Sequence, residues 1–250
     1  MSFVTRTPSL SSGSGPPTPS VMQTDLDQLF APLEQLDRFV IGQLGQSLDG
    51  RIATITGHSH YINGPEDIER LHRLRALADV VVVGAGTVAA DDPRLTVRKV
   101  EGANPVRVAL DPRGTLDSQR AMFTDGAAPT LWMKGTMDAD PSSTSADVEV
   151  IHLPSASGAF DPTEVVAELR ARGLHRILIE GGGVTVSRFL EAGVLDRLHV
   201  SVAPLVIGSG RPGIMLPEIQ TLDEARRPPV RHFRLGSDVL FDLDLRSEEA

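Results

Sequence analysis

The sequence predicts an α/β fold with a mixed, mostly parallel central sheet, flanked by helices and completed by a C-terminal antiparallel hairpin. Three observations lead there. Residues 79–86 (DVVVVGAG) and 176–183 (RILIEGGG) are unbroken aliphatic runs, as in strands covered on both faces, and each passes through glycines into a helical pattern. Residues 161–173 (DPTEVVAELRARG) form a helix marked at both ends, by Asp161 as cap, Pro162 in the first turn and Gly173 as stop. Residues 230–246 alternate apolar and polar side chains around Gly236-Ser237, the pattern of an antiparallel hairpin.

Eleven of the thirteen residues in 8–20 (PSLSSGSGPPTPS) are Pro, Gly or Ser, too little apolar surface to offset ordering entropy. Residues 1–24 are therefore expected to be a flexible tail and 25–250 a single folded domain. Leu26, Leu29, Leu33 and Leu36 then recur at helical spacing behind Asp25, with Pro32 limiting the length. Residues 38–44 (RFVIGQL) read as a first buried strand and 45–53 as a loop turning at Asp49-Gly50. In 63–78 (NGPEDIERLHRLRALA), Pro65 and the acids Glu66, Asp67 and Glu69 mark a helix start. Ile68, Leu71, Leu74 and Leu77 form its apolar stripe, and Arg75, off that stripe, is expected to point toward the sheet edge. Residues 105–110, 129–133 and 148–153 read as further strands, 186–196 as a helix and 197–208 as another strand.

At 250 residues the chain has length enough for a full core. Zero cysteines exclude disulfides, thiolate nucleophiles, iron–sulfur ligation and Cys-based zinc sites. Lys99 and Lys134 are the only lysines, so arginine is the default anion ligand. A formal charge of −9 argues against nucleic acid and anionic membranes as partners. No apolar run approaches the ~18 residues of a membrane span, and no signal-peptide core opens the chain, so a soluble cytoplasmic protein is expected.

Chemistry is expected at the two strand–glycine–helix junctions, where backbone approaches a ligand and helical N–H groups form an anion site. GAGTVA also fits the dinucleotide pattern G-x-G-x-x-A, but no acidic residue follows a second strand at the required distance. A Rossmann unit, a mere tight turn and a different nucleotide-binding sheet all stay open. After the first turn, residues 91–98 (DDPRLTVR) crowd two acids and two arginines. One reading is a capped surface loop; the other has Arg98 and Arg75 clamping a phosphate while Thr87 and Asp91 bind ribose or amide groups. His58 and His60 alternate around Ser59 as on a strand, but no third ligand has motif spacing, so no metal is expected. The GSG at 208–210 reads as a loop, and Asp49 is either a turn residue or a proton-transfer group.

Four ordered blocks, SLDGRIA (47–53), residues 62–98, NPVRVALD (104–111) and residues 176–210, resemble the pyrimidine reductase domain of riboflavin biosynthesis across about 38–246. That resemblance implies a dihydrofolate-reductase-like fold and hydride transfer from NADPH to C1′ of the ribosyl group of 5-amino-6-(5-phosphoribosylamino)uracil, giving a ribitylamino product. It assigns cofactor contacts to Tyr61, Thr87, Asp91, Gly181, Gly182, Gly183, Val184, Thr185, Val186 and Ser187. It assigns contacts to the phosphorylated substrate to Ser59, Arg75, Leu95, Arg98 and Glu180. The zinc deaminase signature often joined to such domains, H-x-E with P-C-x-x-C, is absent, so the chain resembles the reductase half alone. A homodimer is implied too, supported by the alternating run 239–245, whose sheet edge is otherwise expected to be open.

In such chemistry the cofactor supplies the hydride and the protein supplies placement. Asp49 or Glu180 is expected to assist proton traffic or to stabilise a cationic imine, without a choice between them. Two alternatives remain: reduction of another pyrimidine, a pterin or a small carbonyl compound, and a nucleotide-binding sensor without turnover. NADPH binding without oxidation would mark the sensor.

Overall fold

The computed structural model describes residues 21–59, 62–136 and 147–246. The order is α1 (Val21–Glu34), β1 (Phe39–Ser47), β2 (Arg51–Thr54), α2 (Pro65–Leu77), β3 (Val80–Gly84), α3 (Ala85–Asp91), β4 (Val106–Asp111) and α4 (Ala121–Thr124). Then come β5 (Thr130–Gly135), β6 (Val148–Leu153), α5 (Pro162–Ala171), β7 (Arg176–Glu180), α6 (Gly183–Glu191), β8 (Arg197–Ala203), β9 (Gly210–Pro212), β10 (Val230–Leu235) and β11 (Asp238–Asp244).

The main sheet has the order β10-β11-β8-β1-β7-β3-β4-β5-β6. From β8 to β6 every neighbour is parallel, and β11 and β10 add antiparallel strands at one side. The aliphatic runs are unbroken because both faces are covered. Val80 and Val82 of β3 join a core under α5 and α6 with Val165, Leu169, Val186 and Phe189. Val81 and Val83 join the opposite core with Leu29, Phe30 and Leu33 of α1. Each such fully buried side chain contributes on the order of 1.5–3 kcal/mol.

Several expectations need correction. α1 begins at Val21, ahead of the expected boundary at 25, with Pro32 in its last turn; residues 1–20 lie outside the described residues. β1 runs on to Ser47, and 51–54, expected as loop, is β2, paired antiparallel with β9. His58 is not on a strand, and His60 and Tyr61 lie outside the described residues. β11 is not an edge: it pairs with β8 on one side and β10 on the other, so β10 is the edge.

The largest difference is in α2. Asp67, Arg70, His72, Leu74 and Arg75 are its buried residues, whereas Ile68 is 38% exposed. Arg75 reaches Glu180 on β7, in the middle of the sheet rather than at its edge. The β10–β11 turn holds the start of this helix: Asp238 Oδ2 accepts the Gly64 N–H at 2.8 Å and the Asn63 side-chain N–H at 3.1 Å. Among the described residues no helix is long and apolar enough to cross a membrane, and no cluster of His, Cys, Asp and Glu is arranged to hold a metal.

Candidate active site

Parallel strands end together, and a cavity of about 900 Å³ opens at the carboxyl ends of β1, β7, β3 and β4. The two glycine turns meet at its centre. Thr87 Oγ1, from the turn after β3, accepts the Gly182 N–H at 3.0 Å. Gly181 has φ 124°, a conformation that L side chains rarely adopt, and a Cβ on Gly183 would run into the Gly213 carbonyl. α6 starts at Gly183, so the unpaired N–H groups and positive dipole end of its first turn lie at this wall.

Thr87, Asp91, Gly181, Gly182, Gly183, Val184 and Thr185 all line the cavity. Val186 and Ser187 do not. Val186 is packed in the core beneath α6, and Ser187 Oγ accepts the Met215 N–H at 2.8 Å. Their side chains are structural because α6 turns them away from the wall that Val184 and Thr185 form.

Of the residues expected to contact substrate, Ser59, Leu95 and Glu180 line the cavity. Leu95 is buried at φ 54°, a left-handed conformation that costs a branched residue roughly 1–3 kcal/mol. Glu180 is gripped by Arg75: Nε donates to Oε2 at 2.8 Å and Nη2 donates to Oε1, while Nη1 donates to the Thr96 carbonyl at 3.1 Å. Burial alone would lower the Arg75 pKa, but the charge and hydrogen bonds of Glu180 outweigh it and hold the pKa above its ordinary value. Arg75 is thus committed to Glu180 and stands behind the wall, not in it as a phosphate clamp.

Arg98 also stands outside the cavity lining. Its Nη1 donates to Thr96 Oγ1 at 2.6 Å and its backbone N–H donates to His72 Nδ1 at 3.0 Å. Burial, and then the charges of Arg75 and Arg98, push the His72 pKa down to about 4, so the ring is a neutral acceptor. The acids of the loop do not hold Arg98. Asp92 instead accepts the Ala121 N–H at 2.9 Å.

Asp49 is a turn organiser and not a proton donor to the cavity. It accepts from Ser47 Oγ, from Ile207 N at 3.1 Å and from Gly208 N at 2.6 Å, and these bonds lower its pKa to about 2. The carboxylate ties the turn after β1 to the 207–208 loop, outside the cavity walls.

Other wall residues escaped sequence reasoning. Gln43, Asn63 and Asp67 line the end near β1, and Asp111 and Arg113 the end near β4. Asp111 is fully buried and accepts from Thr115 N and Leu116 N at 2.9 Å and from Trp132 Nε1 at 3.2 Å, shaping the loop that presents Arg113. Arg188 and Arg211 are further arginines on the wall. The one signal for Arg113 was its place two residues after the end of a buried parallel strand.

Fold and cavity together define an α/β domain whose two glycine turns meet at the carboxyl ends of parallel strands, where open sheets of this class form their ligand sites. The family model of the RibD C-terminal domain matches residues 38–241, and the chain belongs to that family. It is 33% identical over 217 residues to the 2,5-diamino-6-ribosylamino-4(3H)-pyrimidinone 5′-phosphate reductase of Methanothermobacter thermautotrophicus, covering 83% of this chain and 98% of that protein. It is 32% identical to the riboflavin biosynthesis protein RibD of Aquifex aeolicus over 74% of this chain, but spans only 51% of that protein. Among solved structures, the deaminase/reductase of Thermotoga maritima matches with a TM-score of 0.71 at 24% identity, over 88% of this chain and 59% of that one. The riboflavin biosynthesis reductase Rib7 of Saccharomyces cerevisiae matches with a TM-score of 0.68 at 19% identity, over 88% and 99%.

Proposed function

We propose that the protein is an NADPH-dependent reductase of riboflavin biosynthesis that transfers hydride to C1′ of the ribosyl group of a ribosylaminopyrimidine 5′-phosphate, giving the ribitylamino product. The substrate is either the diaminopyrimidinone named for the Methanothermobacter relative or its deaminated form, 5-amino-6-(5-phosphoribosylamino)uracil. The observation that carries this reading is the pair of glycine turns fastened together by Thr87 and Gly182 at the centre of one cavity, with polar groups at both of its ends.

The wall suits a dinucleotide. The turn at Gly181 to Gly183 lets backbone approach a pyrophosphate at the start of α6, Thr87 and Asp91 offer hydrogen bonds to ribose or carboxamide, and Val184 and Thr185 close the wall. Bound NADPH would supply the hydride. Glu180, oriented by Arg75, is placed to stabilise positive charge developing at the ribosylamino group, and Ser59 and Leu95 help to position the substrate. Arg98 lends its charge to the phosphate end.

The reading also makes the protein a cytoplasmic homodimer, with the exposed edge strand β10 as a contact. The deciding experiment follows NADPH absorbance with purified protein and each of the two pyrimidine phosphates. Steady consumption with either supports the reading. NADPH binding with no consumption would make the protein the nucleotide sensor instead, and consumption only with a pterin or small carbonyl compound would move it to another substrate.

A further inference from the structure

Just after the carboxyl end of β1, β2 and β9 form a separate two-stranded ribbon, with Ala53 opposite Arg211 and Thr54 opposite Gly210. Beyond Thr54 the chain turns back on itself. The Thr54 N–H donates to the His58 carbonyl at 3.0 Å, the Gly57 N–H to the Thr54 carbonyl at 3.0 Å, and the His58 N–H to Thr54 Oγ1 at 3.1 Å. Three bonds to one residue close this loop, and Gly57 supplies the positive φ of 93° within it.

The closed loop folds onto the Arg211 side chain. A Cβ on Gly57 would lie 2.9 Å from Arg211 Nη2, 3.2 Å from Cζ and 3.6 Å from Nη1. Those three distances together put the point above the guanidinium plane and not beside it, so the planar group rests face-on against the loop. A guanidinium carries its N–H bonds in its own plane, and a face-on contact uses none of them. Among the described residues no acceptor or acid stands within reach of those donors. Arg211, Gly57 and Ser59 all line the cavity. Whichever edge of the group meets the cavity is a donor edge, because a guanidinium has no acceptor.

The substrate of the proposed reaction brings one phosphate to this cavity, and neither arginine that the resemblance assigns to it is free. Arg75 gives Nε and Nη2 to Glu180 and Nη1 to Thr96, and Arg98 stands outside the lining with Nη1 on Thr96 Oγ1. Of the arginines on the wall, Arg113 is at the β4 end and Arg188 is on α6, the helix of the second glycine turn. Arg211 is the one laid against the loop that carries Ser59.

We propose that Arg211 is the direct ligand of the substrate phosphate and that Gly57 is the positioning residue that lays its guanidinium in place. This rests on the reductase reading, which supplies the phosphate. A packed planar fork loses little freedom on binding and can offer a phosphate two parallel donors.

The test titrates the phosphorylated ribitylamino product and its phosphate-free counterpart calorimetrically into the full chain without cofactor, so that no reaction occurs. The wild type is expected to hold the phosphorylated ligand about tenfold or more tighter. Arg211→Met keeps an unbranched stem on the loop and removes the charge, so the ratio of the two affinities should fall toward unity. Arg211→Lys should recover part of the preference, because a point charge cannot reproduce the fork. Thermal melts are expected to match the wild type, since the side chain is exposed. A packing contact alone would leave the ratio unchanged in Arg211→Met, and that result overturns the proposal. Equal or undetectable binding of the two ligands by the wild type overturns it as well. A loss of NADPH affinity in Arg211→Met with the ratio intact would hand the arginine to the cofactor phosphates, against the proposal. The two readings fail separately. Steady NADPH consumption with an unchanged ratio removes only the Arg211 assignment, and a collapsed ratio with no consumption on either pyrimidine phosphate removes only the reductase reading.

Discussion

Thr87 Oγ1 accepts the Gly182 N–H at 3.0 Å, so the turn after β3 is fastened to the turn after its sheet neighbour β7. Thr87→Val keeps the shape of the side chain and removes the acceptor, leaving a backbone donor without its partner. A stability loss of about 1 kcal/mol is expected, with NADPH affinity falling several-fold, while Thr87→Ser should retain both. Thermal melts and fluorescence titration check this. Wild-type NADPH affinity in Thr87→Val would separate the fastening from cofactor binding.

The glycines of the second turn should differ in their tolerance. A Cβ on Gly182 would meet Thr87 Oγ1 at 3.1 Å, a tight contact with a side chain that can shift, whereas one on Gly183 would collide with the Gly213 backbone. Gly182→Ala should therefore fold and bind NADPH more weakly, and Gly183→Ala should lose several kcal/mol of stability or displace the 213–215 loop. Comparison of the two melting temperatures checks the order, and equal values would show that the loop yields freely.

These turns were legible in the sequence because both follow strands buried on two faces, whose aliphatic runs have no other common explanation. The cap and stop of α5 and the Gly236-Ser237 hairpin were legible for equally local reasons. The polar side of α2 was not. Periodicity counts apolar positions, and Ile68 and Leu71 satisfy that count while lining a cavity; Arg70 finds its partners 27 and 129 positions away, at Gln43 and His199. No neighbouring residue announces such a partner. The resemblance assigns the backbone of residues 181–187 to the cofactor, and the sequence does not show that the Ser187 side chain turns away from the cavity to accept the Met215 N–H, because its partner lies 28 positions on.

Arg75, Arg94 and Arg98 lie close enough that burial and then the first two charges depress the Arg98 pKa, with Glu180 opposing them. A phosphate dianion relieves that repulsion. Arg98 stands outside the cavity lining and acts by its charge alone, so Arg98→Ala is expected to raise the Michaelis constant for the phosphorylated substrate a few-fold and hardly move that for NADPH, with Arg98→Lys, which keeps the charge, recovering most of the loss. Arg75→Ala should act differently, costing about 3–5 kcal/mol of stability because the buried Glu180 loses its partner. Steady-state kinetics with both ligands varied, alongside melts, distinguishes the two. A rise confined to the NADPH constant in Arg98→Ala would place that arginine on the cofactor side.

His72 predicts a pH dependence. Its folded pKa, about 4, lies below the ordinary 6.5, so the unfolded chain binds more protons between those values and stability rises with pH across that window. The contribution is fully present above about pH 6.5 and is lost as pH falls toward 4, an upper bound of about 3 kcal/mol at ~1.4 kcal/mol per unit. His72→Asn keeps an acceptor for the Arg98 N–H and does not titrate. Denaturant midpoints from pH 7 to 4 should therefore fall less steeply in the variant than in the wild type, and parallel curves would assign the acid sensitivity elsewhere.

Arg113 is exposed at the β4 end of the cavity and has no ion pair among the described residues. Asp111 fixes its loop through Thr115, Leu116 and Trp132. On the proposed reading the reacting ring lies by Glu180 and the pyrophosphate by the glycine turns, which leaves the β4 end for the adenosine. NADPH differs from NADH there by a 2′-phosphate, and a charge-assisted bond to phosphate contributes roughly 1.5–3 kcal/mol. Arg113→Ala is expected to weaken NADPH binding about ten- to hundredfold while NADH binding hardly changes, and Arg113→Lys should recover part of the difference. Asp111→Asn should also reduce the preference, but together with a fall in melting temperature, because it loosens the loop instead of removing the charge. Paired titrations with the two cofactors decide. An unchanged NADPH-to-NADH ratio in Arg113→Ala would transfer the phosphate contact to Arg188 or Arg211, the other unpaired arginines on the described wall.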